Sequence, residues 1–506
     1  MGILLWVKAA MVGLVEKYGD ALQAHQITAV GVCSLTITIM IAGLFILKVY
    51  LRDDRPISKL PPGSMGLPFL GETLQFLWAL KSNKPEDFFD ERVKKFGHVF
   101  KTSLVGCPTV VATGPSGNRL LLSNENKLVV GSFPNPFLRL IGFDSLMGRS
   151  GGEYRGLRAA LMTFFTPDAL QHHVEKLSSK IQQHFNEKWK VRQEIKLLSM
   201  VKQLNIYAIC SLFFSLEDEH IQEKILELLE VIVLGSVSIP LDFPGTRYHR
   251  ALHARKKLDT ILSLMVEERR KHLQQGSVTS DRDLLSVLLT VKDGNGNLLT
   301  DKEILDNISM LLHGGLDSTT SAITLTLKLL SSNKACYDQM VKEQLQILSS
   351  KKEGEVVTWQ ETKNMKYTWQ VLQETLRMFP PGFGTFRRAI VDIEYNGYTI
   401  PKGWKLLWSV HSTHRKEAYF KDPDEFRPSR FEVEEAVAPY TFLPFGGGTR
   451  ICVGWELAKL EVQLFMHYFV KTFSDYVAVD PEEKISIDPL LPLPVNGFPI
   501  ILFPRS

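Results

Sequence analysis

The chain has 506 residues, 44% of them hydrophobic and 23% charged, with a net charge of +4. That is ample for a large buried core, and too weakly and evenly basic for a nucleic-acid binder; runs such as Arg255–Lys257 and Glu267–His272 read as solvated helix faces. The five cysteines (Cys33, Cys107, Cys210, Cys336 and Cys452) are far apart and form no CxxC pair, which excludes a disulfide framework or a cysteine zinc site and points to a reducing compartment.

In chain order, the first element is an apolar run from Ile27 to Leu47, 21 residues without a charge. A helix of that length crosses a hydrocarbon core of about 30 Å. Lys48, Arg52, Arg55 and Lys59 follow it and only Lys8 and Lys17 precede it, so the bulk of the protein is expected in the cytosol. The late start and length of the run set it apart from a cleaved signal peptide, and "MGILLW" lacks the residue a myristoylation signal wants. Residues 1–58 therefore read as a membrane anchor with the start of a hinge, and 59–506 as the body. "KLPPGSMGLPFLGE", Lys59 to Glu72, is a stiff connector, because prolines fix φ and glycines permit turns.

Apolar residues at three- and four-residue spacing predict helices over Ala169–Trp189, Ile221–Val237 and Arg250–Gln275. "VKDGNGNLL" reads as a hairpin turn. "DIEYNGYTIPKGWKLLWSV" reads as strands, with Asn396-Gly397 and Lys402-Gly403 as turns. The body is mainly α with a minor β-sheet.

Two further helices bear on chemistry. The first starts at a capping box, Thr300 and Glu303, and runs to about Asn333, roughly 50 Å. Its middle is weak. Gly314 and Gly315 each cost about 1 kcal/mol relative to alanine. Thr319 and Thr320 are poor helix formers, and Asp317 and Ser318 can bond their own backbone. Either something packs against or opens the backbone there, or the helix is kinked for structural reasons. The second helix, Asn364–Met378, ends at "FPP" and carries Glu374 and Arg377 three apart, a pair that alone implies nothing.

The densest cluster is "PFGGGTRICVGWE", Pro444 to Glu456, with Phe445, Gly446, Gly448, Arg450, Cys452 and Gly454 in F-G-x-G-x-R-x-C-x-G. Glycines let a chain lie flat against a planar ligand, and Arg450 can reach a carboxylate on its rim. A helical pattern begins just after Cys452, and a helix N-terminus favours a thiolate. A thiolate bound to haem iron pushes electron density toward oxygen and favours O–O cleavage. The bland alternative is a glycine-rich turn around a buried thiol.

With these residues in place the chain resembles a cytochrome P450, from the anchor to Ser506. The resemblance implies the P450 fold behind an N-terminal transmembrane helix, a b-type haem with Cys452 as the axial iron ligand, and electrons from NADPH through a separate reductase at the endoplasmic reticulum membrane. "ETLR" and "FRPSRF" match the family's E-x-x-R and P-x-R-F elements, so Glu374, Arg377 and Arg430 should lock together behind the haem. Arg387 in "FGTFRRAI", Arg158 in "YRGLR" and Arg450 match propionate-binding arginines, with Tyr154 where the family has tryptophan. "GGLDST" matches the oxygen-activation motif, with Asp317 feeding protons to Ser318, where threonine is usual, or to Thr319.

"IPLDFPGTRYHRAL", "MKYTWQVLQETLRMFPPGFGTFRRAI" and "DPLLPLPVNGFPIILFPRS" resemble, more narrowly, the taxane (taxoid) hydroxylases of yews. "CVGWELAKLE" departs from that group, which more often has proline after the cysteine. The resemblance implies hydroxylation of a polycyclic diterpenoid in taxol-type biosynthesis. Met310, His313, Gly314, Phe383, Thr385 and Leu493 to Val495 would line the pocket, with His313 either a filled core position or a hydrogen-bond donor to substrate. Triterpenoid, brassinosteroid or gibberellin-type substrates are the alternative. Rivals of other classes are a non-catalytic haem- or lipid-binding paralogue and a peroxide-rearranging enzyme needing no reductase. The intact acid–alcohol pair and cysteine loop stand against both.

Overall fold

The computed structural model describes residues 36–43, 59–67, 70–82, 84–279, 283–292, 296–352, 354–433, 437–487 and 491–505. Contacts divide the chain into two compact units, Met1–Lys59 and Leu60–Ser506. In the first, residues 36–43 are helical and largely exposed; the rest of the apolar run 27–47 lies outside the described residues.

In the second unit, side-chain caps start the helices close to where periodicity predicts. Thr166, Asp218 and Thr246 each accept a hydrogen bond from the backbone N–H three residues on. They open helices Pro167–Lys188, Glu219–Ser236 and Arg247–Gln274. Both bonds of the Thr300–Glu303 capping box are made, and the helix Asp301–Ser331 follows, about 46 Å long. Helices Leu197–Phe214, Lys366–Met378 and Trp455–Thr472 pack against it, so it is the axis of the main apolar core.

Periodicity did not reveal the helix Leu197–Phe214. Among the described residues it is the one helix long and apolar enough to cross a membrane, yet 72% of it is buried within the fold. A helix buried on nearly every side carries no amphipathic stripe. It is a core helix.

The β component is larger than "DIEYNGYTIPKGWKLLWSV" alone. A five-stranded sheet runs in the order Val99–Leu104, Cys107–Ala112, Lys405–Ser409, Gly384–Ala389, Val129–Gly131, all antiparallel except the second pair. Asn396 (φ 51°) and Gly397 (φ 81°) form the expected tight turn between strands Ile393–Tyr395 and Tyr398–Ile400. Lys292 and Leu298 bridge as the "VKDGNGNLL" hairpin requires, while residues 293–295 lie outside the described residues. In a separate sheet, strand Pro499–Pro504 pairs antiparallel with both Glu194–Lys196 and Phe473–Ala478.

Candidate active site around Cys452

The loop before helix Trp455–Thr472 is closed by a backbone bond from Cys452 N–H to Phe445 O, 2.9 Å. Cys452 keeps accessible surface, although protein crowds closely round its thiol. Gly454, the cap of the following helix, directs its N–H at the sulfur, as the helix-terminus argument expects. Burial pushes the Cys452 thiol up, while the Gly454 N–H and the Arg158 charge pull it down.

One of the glycines has a reason in addition to the one sequence suggests. Gly448 has φ 65°, and a Cβ there would sit 2.0 Å from Leu122 O. Close approach of the loop to helix Gly114–Ser123 demands that glycine. Gly446 (φ 73°) has only the Trp408 ring near its missing Cβ, and Phe445 is half-buried with its ring 6.3 Å from that of Trp455.

The three arginines expected to hold carboxylates belong to one connected cluster, organised by a residue the sequence did not single out. Glu125 Oε1 accepts from Arg450 Nε at 2.5 Å, and its Oε2 lies 3.1 Å from Arg387 Nε. The Arg450 guanidinium sits 4.0 Å above the Tyr154 ring, and Arg158 Nη1 donates to Tyr154 Oη at 3.2 Å. Tyr154 Oη donates in turn to Thr449 O at 3.0 Å, which ties the tyrosine to the cysteine loop. Three guanidiniums against one carboxylate leave two uncompensated positive charges. A dianionic ligand rim would balance them.

Glu374 and Arg377 are fully buried and bidentate, at 2.7 and 2.9 Å. Arg430 Nε adds a 3.1 Å bond to the same carboxylate, and Arg427 N–H another at 2.9 Å. Arg377 then donates to His414 O, and Arg430 to Asp422 O. His414 Nε2 accepts from Leu443 N–H, which opens the segment leading into the cysteine loop. The pair that meant nothing on a helix face is therefore the buried brace of that loop.

At the centre of the long helix, Gly314 is exposed, with nothing within 4 Å of where a Cβ would lie. Ser318, one turn on and half-buried, donates to Gly314 O at 2.6 Å, so its hydroxyl proton is engaged by the backbone. Asp317 turns elsewhere. It pairs with Lys202 of helix Leu197–Phe214 at 3.1 Å, and Lys202 also reaches Glu230 at 2.9 Å. Thr319 is buried against the Glu461 carboxyl on the cysteine helix. The three residues of the acid–alcohol motif thus face three different partners.

Of the expected pocket residues, Met310 is buried and Phe383 packs edge-on to Phe76 at 5.6 Å. Thr385 accepts from Arg387 Nη1 and Trp408 Nε1, and Leu493 pairs across strands with Ser486. His313 Nδ1 lies 2.7 Å from Ser309 O, and a carbonyl only accepts, so Nδ1 carries the proton. Nε2 is then a lone-pair acceptor without a partner; of the two alternatives read from sequence, a core position or a donor to substrate, this tautomer does not favour the donor. Burial lowers this imidazole to about 4, so it stays neutral at pH 7.

A cavity of about 490 Å³ lies at the other end of the long helix, lined by Lys328, His411, Arg415 and Glu483 among others. None of the expected haem-binding residues lines it, and the chemistry described here is not there.

A family model described as Cytochrome P450 matches residues 61–497. The taxane 13-alpha-hydroxylase of Taxus cuspidata is 54% identical over 489 residues, covering 96% of this chain and all of that protein. The beta-amyrin 28-monooxygenase of Medicago truncatula is 40% identical over 473 residues, covering 93% and 98%. Among solved structures, the retinoic acid-bound cyanobacterial CYP120A1 superposes with a TM-score of 0.79 at 29% identity, over 88% of this chain and 100% of that one.

Proposed function

This chain belongs to the cytochrome P450 family and is a monooxygenase, and on that premise we propose that it hydroxylates one C–H bond of a taxane-like diterpenoid. The observation that carries the substrate class is the 54% identity to a taxane hydroxylase along nearly the whole chain, against 40% for a triterpenoid oxidase. The apolar run 27–47 would anchor the protein in the endoplasmic reticulum membrane, with the body cytosolic and electrons drawn from NADPH through a reductase.

Cys452 would hold the haem iron; its accessible sulfur and the excess positive charge of the Arg158, Arg387 and Arg450 cluster fit that group. When bound, a thiolate-ligated haem supplies reductive activation of O₂ and insertion of one oxygen atom into a C–H bond. Arg158, Arg387 and Arg450 would pair with its propionates while Glu125 holds the latter two in register. Ser318 presents a hydroxyl beside the open face of Gly314, and that hydroxyl can pass a proton once it leaves Gly314 O. Asp317, held by Lys202, which Glu230 also binds, keeps a carboxylate one residue away. Met310 supplies apolar surface, and neutral His313 an acceptor for a substrate hydroxyl.

Microsomes holding this chain and a plant reductase test the reading. One added oxygen on a taxane alone, dependent on NADPH, is the expected result. Turnover of a triterpenoid or gibberellin-type substrate in its place overturns the substrate assignment and leaves the chemistry.

A further inference from the structure

The cavity at the far end of the long helix serves no step above, and its polar lining is unspent. Its volume, about 490 Å³, is that of a small-molecule site. Much of the wall is apolar, with Leu329 on the long helix, Met378 at the end of the E-x-x-R helix, and Ile485, Ile487 and Pro492 on a two-stranded hairpin. Three buried polar side chains from separate elements also reach it. Lys328 is 8% exposed and makes one of the three hydrogen bonds open to an ammonium, to Pro481 O at 2.8 Å. Glu483 is 4% exposed; its Oε1 accepts from Asn496 N–H, and its Oε2 has no partner. His411 makes no side-chain hydrogen bond among the described residues, and burial holds it at about 3, so it is neutral. The Glu483 charge acts on the Lys328 ammonium, yet no ion pair joins the two among the described residues. Buried polar atoms are ordinarily hydrogen-bonded, so three unspent groups around one apolar space mark the place of an occupant.

The lining also limits what that occupant is. Lys328 and Arg415 face Glu86, Glu482 and Glu483, an excess of acid that disfavours an anion. An apolar skeleton bearing hydroxyls fits, because a hydroxyl donates to Glu483 and accepts from Lys328. We propose that this cavity is a second binding site, and that it takes a hydroxylated terpenoid, the kind of molecule the enzyme releases, in preference to the less oxidised one it consumes. Each added hydroxyl satisfies a buried atom that a bare skeleton leaves orphaned. The class of ligand rests on the taxane hydroxylase reading. The site also borders the chemistry. Pro492 lines the cavity, and its carbonyl accepts from Ser321 Oγ at 2.7 Å, on the long helix one turn beyond Ser318. Leu493, next in the same strand, is on the opposite face and belongs to the expected substrate pocket. One short strand is thus a wall to both spaces, and an occupant of the cavity slows turnover without competing for the pocket.

The test uses the full-length, haem-loaded chain in membranes. The probe is a tritiated hydroxylated taxane, and an azole that ligates the iron blocks the pocket. Equilibrium dialysis should find one equivalent of probe per chain that the azole does not displace; displacement of all probe overturns the proposal. The same skeleton without hydroxyls should bind there about tenfold more weakly, and equal binding overturns the recognition by Lys328 and Glu483. L329W fills the cavity and should abolish the azole-resistant equivalent, with the carbon monoxide spectrum and initial kcat unchanged. E483Q keeps the shape, replaces the free acceptor by a donor, and should weaken this binding about tenfold. Unchanged binding in both variants overturns the site; where L329W does not accumulate, E483Q decides. Added hydroxylated taxane should lower kcat and leave KM unchanged in wild type, and L329W should lose that inhibition. Purely competitive inhibition overturns the coupling through the strand. Taxane turnover without an azole-resistant equivalent refutes the site alone. The equivalent without turnover supports the site and refutes the activity reading.

Discussion

Two groups of buried polar residues flank the cysteine loop and the centre of the long helix, and they differ in how fully they are satisfied. Around Glu374, both carboxylate oxygens are used, by two arginines and a backbone N–H, and His414 Nδ1 is the unpartnered atom beside them. On the long helix His313 Nε2 and Ser309 Oγ, and on the cysteine helix Glu461 Oε1, are buried without partners. Satisfied networks fix one geometry, and orphaned atoms hold free energy in reserve for something that arrives later. The brace has to be rigid before any ligand is present; the helix centre has to be incomplete until one is.

The largest effect expected tests the loop between them. Cys452→Ser should abolish product formation and the thiolate signature of the reduced carbon monoxide spectrum, while the Glu374 brace, and so the folded yield, persists. Next, Glu374→Ala strands the buried Arg377 guanidinium and the partly buried one of Arg430, and should cost about 3–5 kcal/mol in denaturant unfolding. A loss under 1 kcal/mol would mean that the brace is no more than a surface-type pair.

Acid should loosen both regions. Burial holds His414 at about 3 and His313 at about 4, below their unfolded value of 6.5. Their stabilisation is present above pH 6.5 and is lost as pH falls toward the folded values, at up to about 1.4 kcal/mol per unit for each. Glu461 acts in the opposite sense. Its folded value of about 8 lies above 4.5, so its contribution declines as pH rises from 4.5 to 8. Urea midpoints at pH 5 and pH 7 should therefore fall on acidification in wild type and fall more steeply in E461Q. The smallest effect belongs to Lys202→Met, which frees Asp317 from its partner. It should change kcat about tenfold and alter the solvent isotope effect, an energy near 1.4 kcal/mol. Unchanged kinetics would place Asp317 on the rigid side of the comparison.

How much of this the sequence discloses depends on the range over which the cause acts. The Thr300 capping box, the Asn396-Gly397 turn and the start of the cysteine helix are local, and the residues alone place them well. The E-x-x-R pair is visible in sequence, but its meaning arrives only with Arg430 and Arg427, about fifty residues away. Glu125, which gathers Arg387 and Arg450, is an unremarked glutamate with no pattern around it; three arginines sharing one rim were the available hint that an acid must sit among them. Lys202 meets Asp317 across two helices, and the helix carrying Lys202 lacks the periodicity that would have announced it.

The strand Pro499–Pro504 lies between Glu194–Lys196 and Phe473–Ala478, and Arg505 then donates to Val470 O and Phe473 O at the end of the cysteine helix. A pairing that joins residue 501 to residue 194 has a very large sequence separation, so its closure is entropically costly and slow. The cysteine helix is therefore secured at its far end by a late-forming contact, and loss of that strand would loosen a pocket to which it contributes none of the proposed ligands.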